Sequence, residues 1–195
     1  SLTVGANLAT TIPSAVTASL AGTLTFAGTT FTNGGTVSGT GTFRTQGTVT
    51  LSNSGTFSAP LEIYSGTTTV YTGTYSGTIS VVSGATLTVP AGNTLTANGN
   101  VTVSGTLGGS GAFYFNGSTF TNNGSVTITA TYFNLNGAQS IAGTGTWTGT
   151  YLYIQNNSNS SLASNASFAV SSFTVSSTGT LSPGGYVLII DATTL

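Results

Sequence analysis

The sequence predicts an all-β protein wound into a parallel β-solenoid, and three observations lead to this prediction. Apolar residues alternate with Thr and Ser, so that pairs such as Val101 and Val103 share one face of a short strand. Clusters of Gly and Asn, such as the Asn-Gly-Gly at Asn33, separate the pairs and supply the left-handed conformations of tight corners. Similar pairs recur after roughly 20 residues, a period typical of solenoid repeats.

An antiparallel β-sandwich that donates a terminal strand to the next copy is the alternative fold. The predicted strands are shorter, and the corners denser, than those of most sandwiches, which favours the solenoid. Stacked coils lie ~4.8 Å apart, so about nine or ten coils would form a rod of about 45 Å.

The elements follow from the alternation along the chain. Residues 1–22 are expected to cap the N-terminal edge or to contact another subunit, and their segment 13–20 could form about two helical turns between Pro13 and Gly22. Residues 23–195 are predicted to form the solenoid repeats. Their alternating apolar pairs are Leu24 and Phe26, Val49 and Leu51, Ile79 and Val81, Leu87 and Val89, Val101 and Val103, Phe113 and Phe115, Val126 and Ile128, Phe133 and Leu135, Leu152 and Ile154, Phe168 and Val170, and Phe173 and Val175.

Charge is nearly absent from the 195 residues, whose charged side chains are Arg44, Glu62 and Asp191. The chain has no His and no Cys, which excludes the usual zinc sites, His-based triads and disulfides. One Arg cannot provide the basic surface that nucleic acids require. Glu62 and Asp191 are far apart in the sequence and would lie at opposite ends of a stacked rod, so we do not expect them to form a glycosidase pair. We therefore predict no enzyme activity, cofactor or metal. Arg44 and Glu62 are expected to face the solvent, and Asp191 to end a strand or lie in a turn.

The composition also indicates where the protein works. A net charge of −1 promotes association of copies with one another, and no apolar run is long enough to span a bilayer. The chain starts at Ser rather than Met, as a processed secreted protein or a cut fragment would. We expect a secreted, extracellular or cell-surface protein whose main partner is itself.

Two sets of residues are candidate sites. A C-terminal apolar cluster with no charged cap is predicted to contact another subunit, because an unpaired strand edge templates further pairing; it contains Tyr186, Val187, Leu188, Ile189 and Ile190. The Asn-x-Ser/Thr sequences are candidate glycosylation sites if the producing cell modifies surface proteins; they begin at Asn100, Asn116, Asn123, Asn156, Asn159 and Asn165.

Two further patterns concern ligands. Thr-x-Thr motifs at Thr23, Thr48, Thr86 and Thr94 are of the kind found on ice-binding solenoid faces, but their spacing in the sequence is irregular. Tyr114, Tyr151 and Tyr153 are predicted to face outward, where they could stack on sugars. Trp147 is expected in the core or at a corner.

The segments TFTNGGTVSGTGTF, SGATLTVPAGNTLT, FTNNGSVTI and TGTLSPGGYVLII resemble the degenerate repeats of bacterial surface β-helix proteins, the class of autotransporter passengers and filamentous haemagglutinins. The resemblance covers about residues 21–190. It implies a right-handed parallel β-helix on a secreted or surface-attached protein with a structural or adhesive role, and no catalytic residues.

The leading hypothesis for function is a structural subunit of a surface fibre, sheath or matrix that assembles through its β edges. An adhesin or carbohydrate-binding module with surface glycans as partners is the alternative. Ice binding is the third and weakest hypothesis, because of the irregular spacing.

Overall fold

The structure is a computed structural model, which describes residues 1–134, 137–155 and 158–194. In these ranges the chain forms strands and turns without a helix, and it winds through about nine turns of a parallel β-solenoid. The predicted fold class is confirmed. The antiparallel alternative is wrong, because the strand pairs in these ranges are parallel throughout. The handedness stays a prediction.

Three ladders of stacked strands run along the solenoid, and we call them face A, face B and face C in the order in which each coil passes through them. Face A contains β1 (Leu2–Val4), β4 (Leu24–Phe26), the start of β7 (Phe43–Asn53), the start of β9 (Leu61–Val70), β11 (Ile79–Val81), β14 (Val101–Val103), β17 (Thr119–Asn122), β20 (Gly137–Ala142), β23 (Ser158–Leu162) and β25 (Thr180–Ser182).

Face B continues from the ends of the two long strands. It contains β2 (Ala9–Ile12), β5 (Thr30–Asn33), the ends of β7 and β9, β12 (Thr86–Thr88), β15 (Thr106–Gly108), β18 (Ser125–Val126), β21 (Thr146–Trp147), the start of β24 (Ala166–Val175) and β26 (Leu188–Thr194).

Face C closes each coil. It contains β3 (Thr17–Ser19), β6 (Thr36–Ser38), β8 (Thr56–Phe57), β10 (Gly73–Tyr75), β13 (Thr94–Ala97), β16 (Ala112–Phe115), β19 (Ala130–Phe133), β22 (Tyr151–Ile154) and the end of β24.

The core lies inside the coil, because the inward residues of all three faces meet there. Aromatic rings pack edge to face along the axis; the centroids of Phe115 and Phe120 are 5.4 Å apart, and Trp147 lies 5.3 Å from Phe168. The predicted inward pairs from residue 49 to residue 128 are buried. Val175 near the end is exposed instead, and Leu135 lies outside the described residues.

Corners absorb differences in coil length, so that strands stay in register although their spacing in the sequence varies. Phe43 pairs with Leu61 after 18 residues, whereas Ile79 pairs with Val101 after 22. Gly66 shows why some corners require glycine. It has a φ of +72°, and a Cβ at this position would lie 2.4 Å from the carbonyl oxygen of Gly47 in the coil below.

Buried polar side chains stack in ladders of their own. Asn33 Nδ2 donates to Asn53 Oδ1 at 2.8 Å, and Asn53 Nδ2 donates to the Thr74 carbonyl at 2.8 Å. Thr45 and Thr68 share a hydrogen bond of 2.7 Å inside the coil. Satisfied in this way, buried amides and hydroxyls avoid the cost of desolvation.

Two local predictions are wrong. Segment 13–20 forms no helix; Ala15 has a φ of +66°, and β3 follows it as the first strand of face C. The segment forms a strand because β3 pairs with β6 of the next coil, and this pairing outweighs the helical propensity of the segment. Asp191 lies within β26 rather than at a strand end, and it is exposed.

Candidate functional surfaces

The segment predicted to contact another subunit belongs to the last coil. Leu188 and Ile190 turn toward the core and are half-buried, whereas Tyr186, Val187 and Ile189 are 46%, 57% and 53% exposed. One edge of β26 pairs with β24, and no strand of the described ranges pairs with the other edge. The segment therefore combines an open backbone edge with exposed apolar side chains, and its contact with another copy stays a prediction.

The first coil has an edge of the same kind. β1, β2 and β3 pair with β4, β5 and β6, and their other edges meet no strand in the part of the chain that is described. Leu2 is 67% exposed and Leu8 is 53% exposed. Ala9 in β2 and Asp191 in β26 occupy the two ends of one outward column of face B.

Face B carries two adjacent outward columns in which Thr predominates, and we call them the threonine array. The first column contains Thr48, Thr67, Thr86, Thr106, Ser125 and Thr146. The second column contains Thr50, Thr69, Thr88, Gly108, Thr127 and Thr148. The columns flank a row of inward residues, as in Thr86-Leu87-Thr88 and Thr146-Trp147-Thr148.

The irregular spacing of the Thr-x-Thr motifs in the sequence was the argument against ice binding, and the threonine array shows that this argument is wrong. Its members are unevenly spaced in the sequence, yet the corners bring them into register. Among the four Thr-x-Thr motifs noted in the sequence, those at Thr48 and Thr86 lie in the array, whereas Thr23 precedes β4 on face A and Thr94 begins β13 on face C. Aligning the chain on its inward apolar residues would have revealed the columns; counting residues could not.

Face C carries a stack of tyrosines. The rings of Tyr114 and Tyr132 are parallel within 6° at 4.3 Å, and those of Tyr132 and Tyr153 within 5° at 4.7 Å. Burial, together with the neighbouring tyrosines, raises the pKa of Tyr132. Tyr132, Tyr151 and Tyr153 line an open cleft together with the polar residues Asn93, Ser110 and Thr129. Tyr114, Tyr151 and Tyr153 face outward as predicted, and Trp147 lies in the core.

Arg44 and Glu62 face outward from adjacent strands of face A and pair with each other. Arg44 Nε donates to Glu62 Oε2, and the guanidinium lies 4.3 Å from the centroid of the Tyr64 ring. Both side chains are partly exposed, where ion pairs contribute at most about 1 kcal/mol. The sequence predicted their orientation but not their pairing, because they are 18 residues apart.

The candidate glycosylation sites are dispersed over the surface. Asn100, Asn123 and Asn165 are exposed in turns, Asn116 follows β16 and is partly buried, and Asn159 lies within β23. Some already have partners: Asn100 Oδ1 accepts from Ser118 Oγ, and Asn116 Nδ2 donates to Asn98 Oδ1. The site at Asn156 lies outside the described residues. Modification of any of them stays a prediction.

Within residues 1–134, 137–155 and 158–194, the titratable side chains form no group that could hold a metal ion. No helix in these ranges is long and apolar enough to cross a membrane. Comparison of the chain with protein-family models, with curated proteins and with solved structures gives no match.

Proposed function

We propose that the chain is a structural unit of an extracellular fibre, sheath or matrix, in which the last coil of one copy stacks on the first coil of the next. The observation that carries the proposal is the open edge of β26, with Val187 and Ile189 exposed beside it. Unpaired strand edges of this kind promote pairing with another chain. A role of this type also agrees with the resemblance to bacterial surface β-helix proteins.

The geometry of the two ends suits repeated stacking. On faces A and B the last strands, β25 and β26, lie on the same ladders as the first strands, β1 and β2. A second copy could therefore add its strands in the parallel sense. A head-to-tail contact of this kind uses two different surfaces and does not close, so it generates a filament. The net charge of −1 offers little repulsion between copies.

The experiment compares association of the parent with that of two charge-matched variants. Val187→Lys with Ile189→Lys places two cations beside the open edge, and Ser83→Lys with Thr102→Lys places two at exposed positions of two adjacent middle coils. Sedimentation velocity over a concentration series should show oligomers or filaments for the parent and the control, and monomers for the end variant. A parent that stays monomeric at high concentration would overturn the proposal, as would equal dissociation of both variants.

The cleft on face C supports adhesion to carbohydrate as a second candidate function. Tyr151 is 40% exposed, and Asn93, Ser110 and Thr129 supply hydrogen-bonding groups beside it. Sugar rings stack on exposed aromatic side chains while their hydroxyls bind such groups. Titration with cello- and chito-oligosaccharides tests this function. Tyr151→Ala should abolish binding, whereas Tyr71→Ala, at an exposed tyrosine elsewhere, should not; absence of binding to the parent contradicts it.

A further inference from the structure

We infer that the threonine array is a binding surface for ice. The inference is independent of the fibre and rests on three properties of the threonine array: a two-dimensional repeat, hydroxyls that have no protein partner outside the array, and the absence of charge within it. The occupant to which it commits is the ordered water lattice at the surface of an ice crystal.

The array repeats in two directions. Its rows follow the coils, which lie ~4.8 Å apart, and its two columns are two residues apart along each strand, about 6.6 Å. The stacked pairs run from Thr48 and Thr50 to Thr146 and Thr148 without a change of register. Water oxygens at the surface of hexagonal ice also repeat with two spacings of about this size. A rigid solenoid could therefore present many groups to the lattice at once.

The hydroxyls of the array are available to water. Thr146 Oγ1 donates to Ser125 Oγ at 3.1 Å. The remaining array hydroxyls have no hydrogen-bond partner among the described residues. Each threonine adds a methyl group, so that the face alternates between hydrogen-bonding groups and small apolar ones. Such a face can hold ordered water by hydrogen bonds, and its rigidity lowers the entropy lost on binding.

No charge interrupts the array. The ion pair of Arg44 and Glu62 lies on face A, and Asp191 lies on face B in the last coil, beyond the end of the array. A charged side chain keeps a strongly bound hydration shell whose orientation conflicts with a lattice. The one break in the pattern is Gly108, which leaves the second column without a side chain at that coil.

The test compares two lysine substitutions. Thr88→Lys lies inside the array and Thr102→Lys lies on face A, and both positions point away from the core. Thermal hysteresis and the shape of growing ice crystals report ice binding, while circular dichroism and melting temperature report the fold. We expect activity in the parent, its loss in Thr88→Lys, and its retention in Thr102→Lys, with both variants folded. A parent without hysteresis or crystal shaping overturns the inference, and so does equal loss in the two folded variants.

Gly108→Thr keeps the inference testable if Thr88→Lys fails to fold. A Cβ at Gly108 would lie 2.8 Å from Thr127 Oγ1 and 3.7 Å from the Thr106 methyl, both side-chain atoms that can move. The substitution completes the second column, so we expect greater hysteresis than in the parent. A folded Gly108→Thr variant with unchanged or lower hysteresis contradicts the array as the binding surface. Binding of the parent to crystalline cellulose instead of ice also contradicts it.

Discussion

The middle coils and the end coils contain side chains of the same chemistry in opposite environments. Phe115 and Val103 in the middle are fully buried, whereas the inward residue Leu2 at one end is 67% exposed and the inward residue Ile190 at the other end is only partly buried. A coil in the middle is covered by a neighbour on each side, and an end coil of the described solenoid by one. Burial in this fold therefore depends on stacking along the axis, and an end coil would gain the most from a further neighbour.

A charge introduced at an inward position should prevent folding in the middle of the solenoid and have little effect on stability at an end. Phe115→Asp buries an unpaired charge among aromatic rings, which costs several kcal/mol, so we expect no folded protein. Leu2→Asp, at an inward but 67% exposed position of the first coil, should change the stability by less than about 1 kcal/mol. Circular dichroism and thermal melting check both. Loss of folding in Leu2→Asp would show that the first coil is as tightly packed as the middle.

Removing a side-chain amide should lower the stability by a smaller amount, and by more in a buried coil than in the last coil. Asn53→Ala removes the acceptor of the Asn33 amide from the buried ladder and should cost about 1–3 kcal/mol, because a buried polar group loses its partner. Asn165→Ala removes an exposed acceptor of the Val187 N–H in the last coil and should cost less than about 1 kcal/mol. Urea denaturation measures both. Equal costs would mean that the ladder contributes no more than a surface contact.

The smallest effect concerns two tyrosines and is expected to depend on pH. Burial raises the pKa of Tyr75, whose hydroxyl has no hydrogen-bond partner among the described residues. Tyrosine in the unfolded chain ionises near pH 10. The stability that comes from keeping Tyr75 protonated is therefore fully present below about pH 10 and is lost as the pH rises toward the pKa of the folded state. Above about pH 10, the melting temperature of Tyr75→Phe should therefore fall less steeply with rising pH than that of the parent.

At neutral pH, the free energy of unfolding of Tyr75→Phe should be about 1 kcal/mol higher than that of the parent, because the substitution removes an unsatisfied buried hydroxyl. Tyr186→Phe, at the exposed end, is the control and should leave the stability at neutral pH unchanged. Melting temperatures from pH 7 to pH 11 provide the comparison. A destabilised Tyr75→Phe would indicate that the hydroxyl has a partner, such as a bound water.

The sequence predicts the strands and their inward faces because alternation is a local property. The Val101–Val103 and Phe113–Phe115 pairs could be oriented from their neighbours alone, and both are buried. Pairing between coils is not local. The ion pair of Arg44 with Glu62, the amide ladder at Asn33 and the columns of face B each depend on how many residues a corner absorbs. The strand at Thr17–Ser19 likewise forms because a neighbouring coil pairs with it, against a helical signal.

Disulfide trapping reports whether the last coil of one copy stacks on the first coil of another. The chain has no cysteine, so the double variant Ala9→Cys with Asp191→Cys introduces a single pair, at the two ends of one outward column. Stacking would bring the pair to ~4.8 Å between copies, within the range of about 4.4–6.8 Å between Cα atoms that a disulfide spans. Within one copy the two positions are roughly 40 Å apart.

Under mild oxidation, a non-reducing gel of the double variant should show a ladder of multimers. Each single variant, Ala9→Cys or Asp191→Cys, should give dimers at most. The ladder should disappear on reduction and weaken when Val187→Lys and Ile189→Lys are added. A double variant that stays monomeric, or that forms dimers only, as the single variants do, would contradict end-to-end stacking.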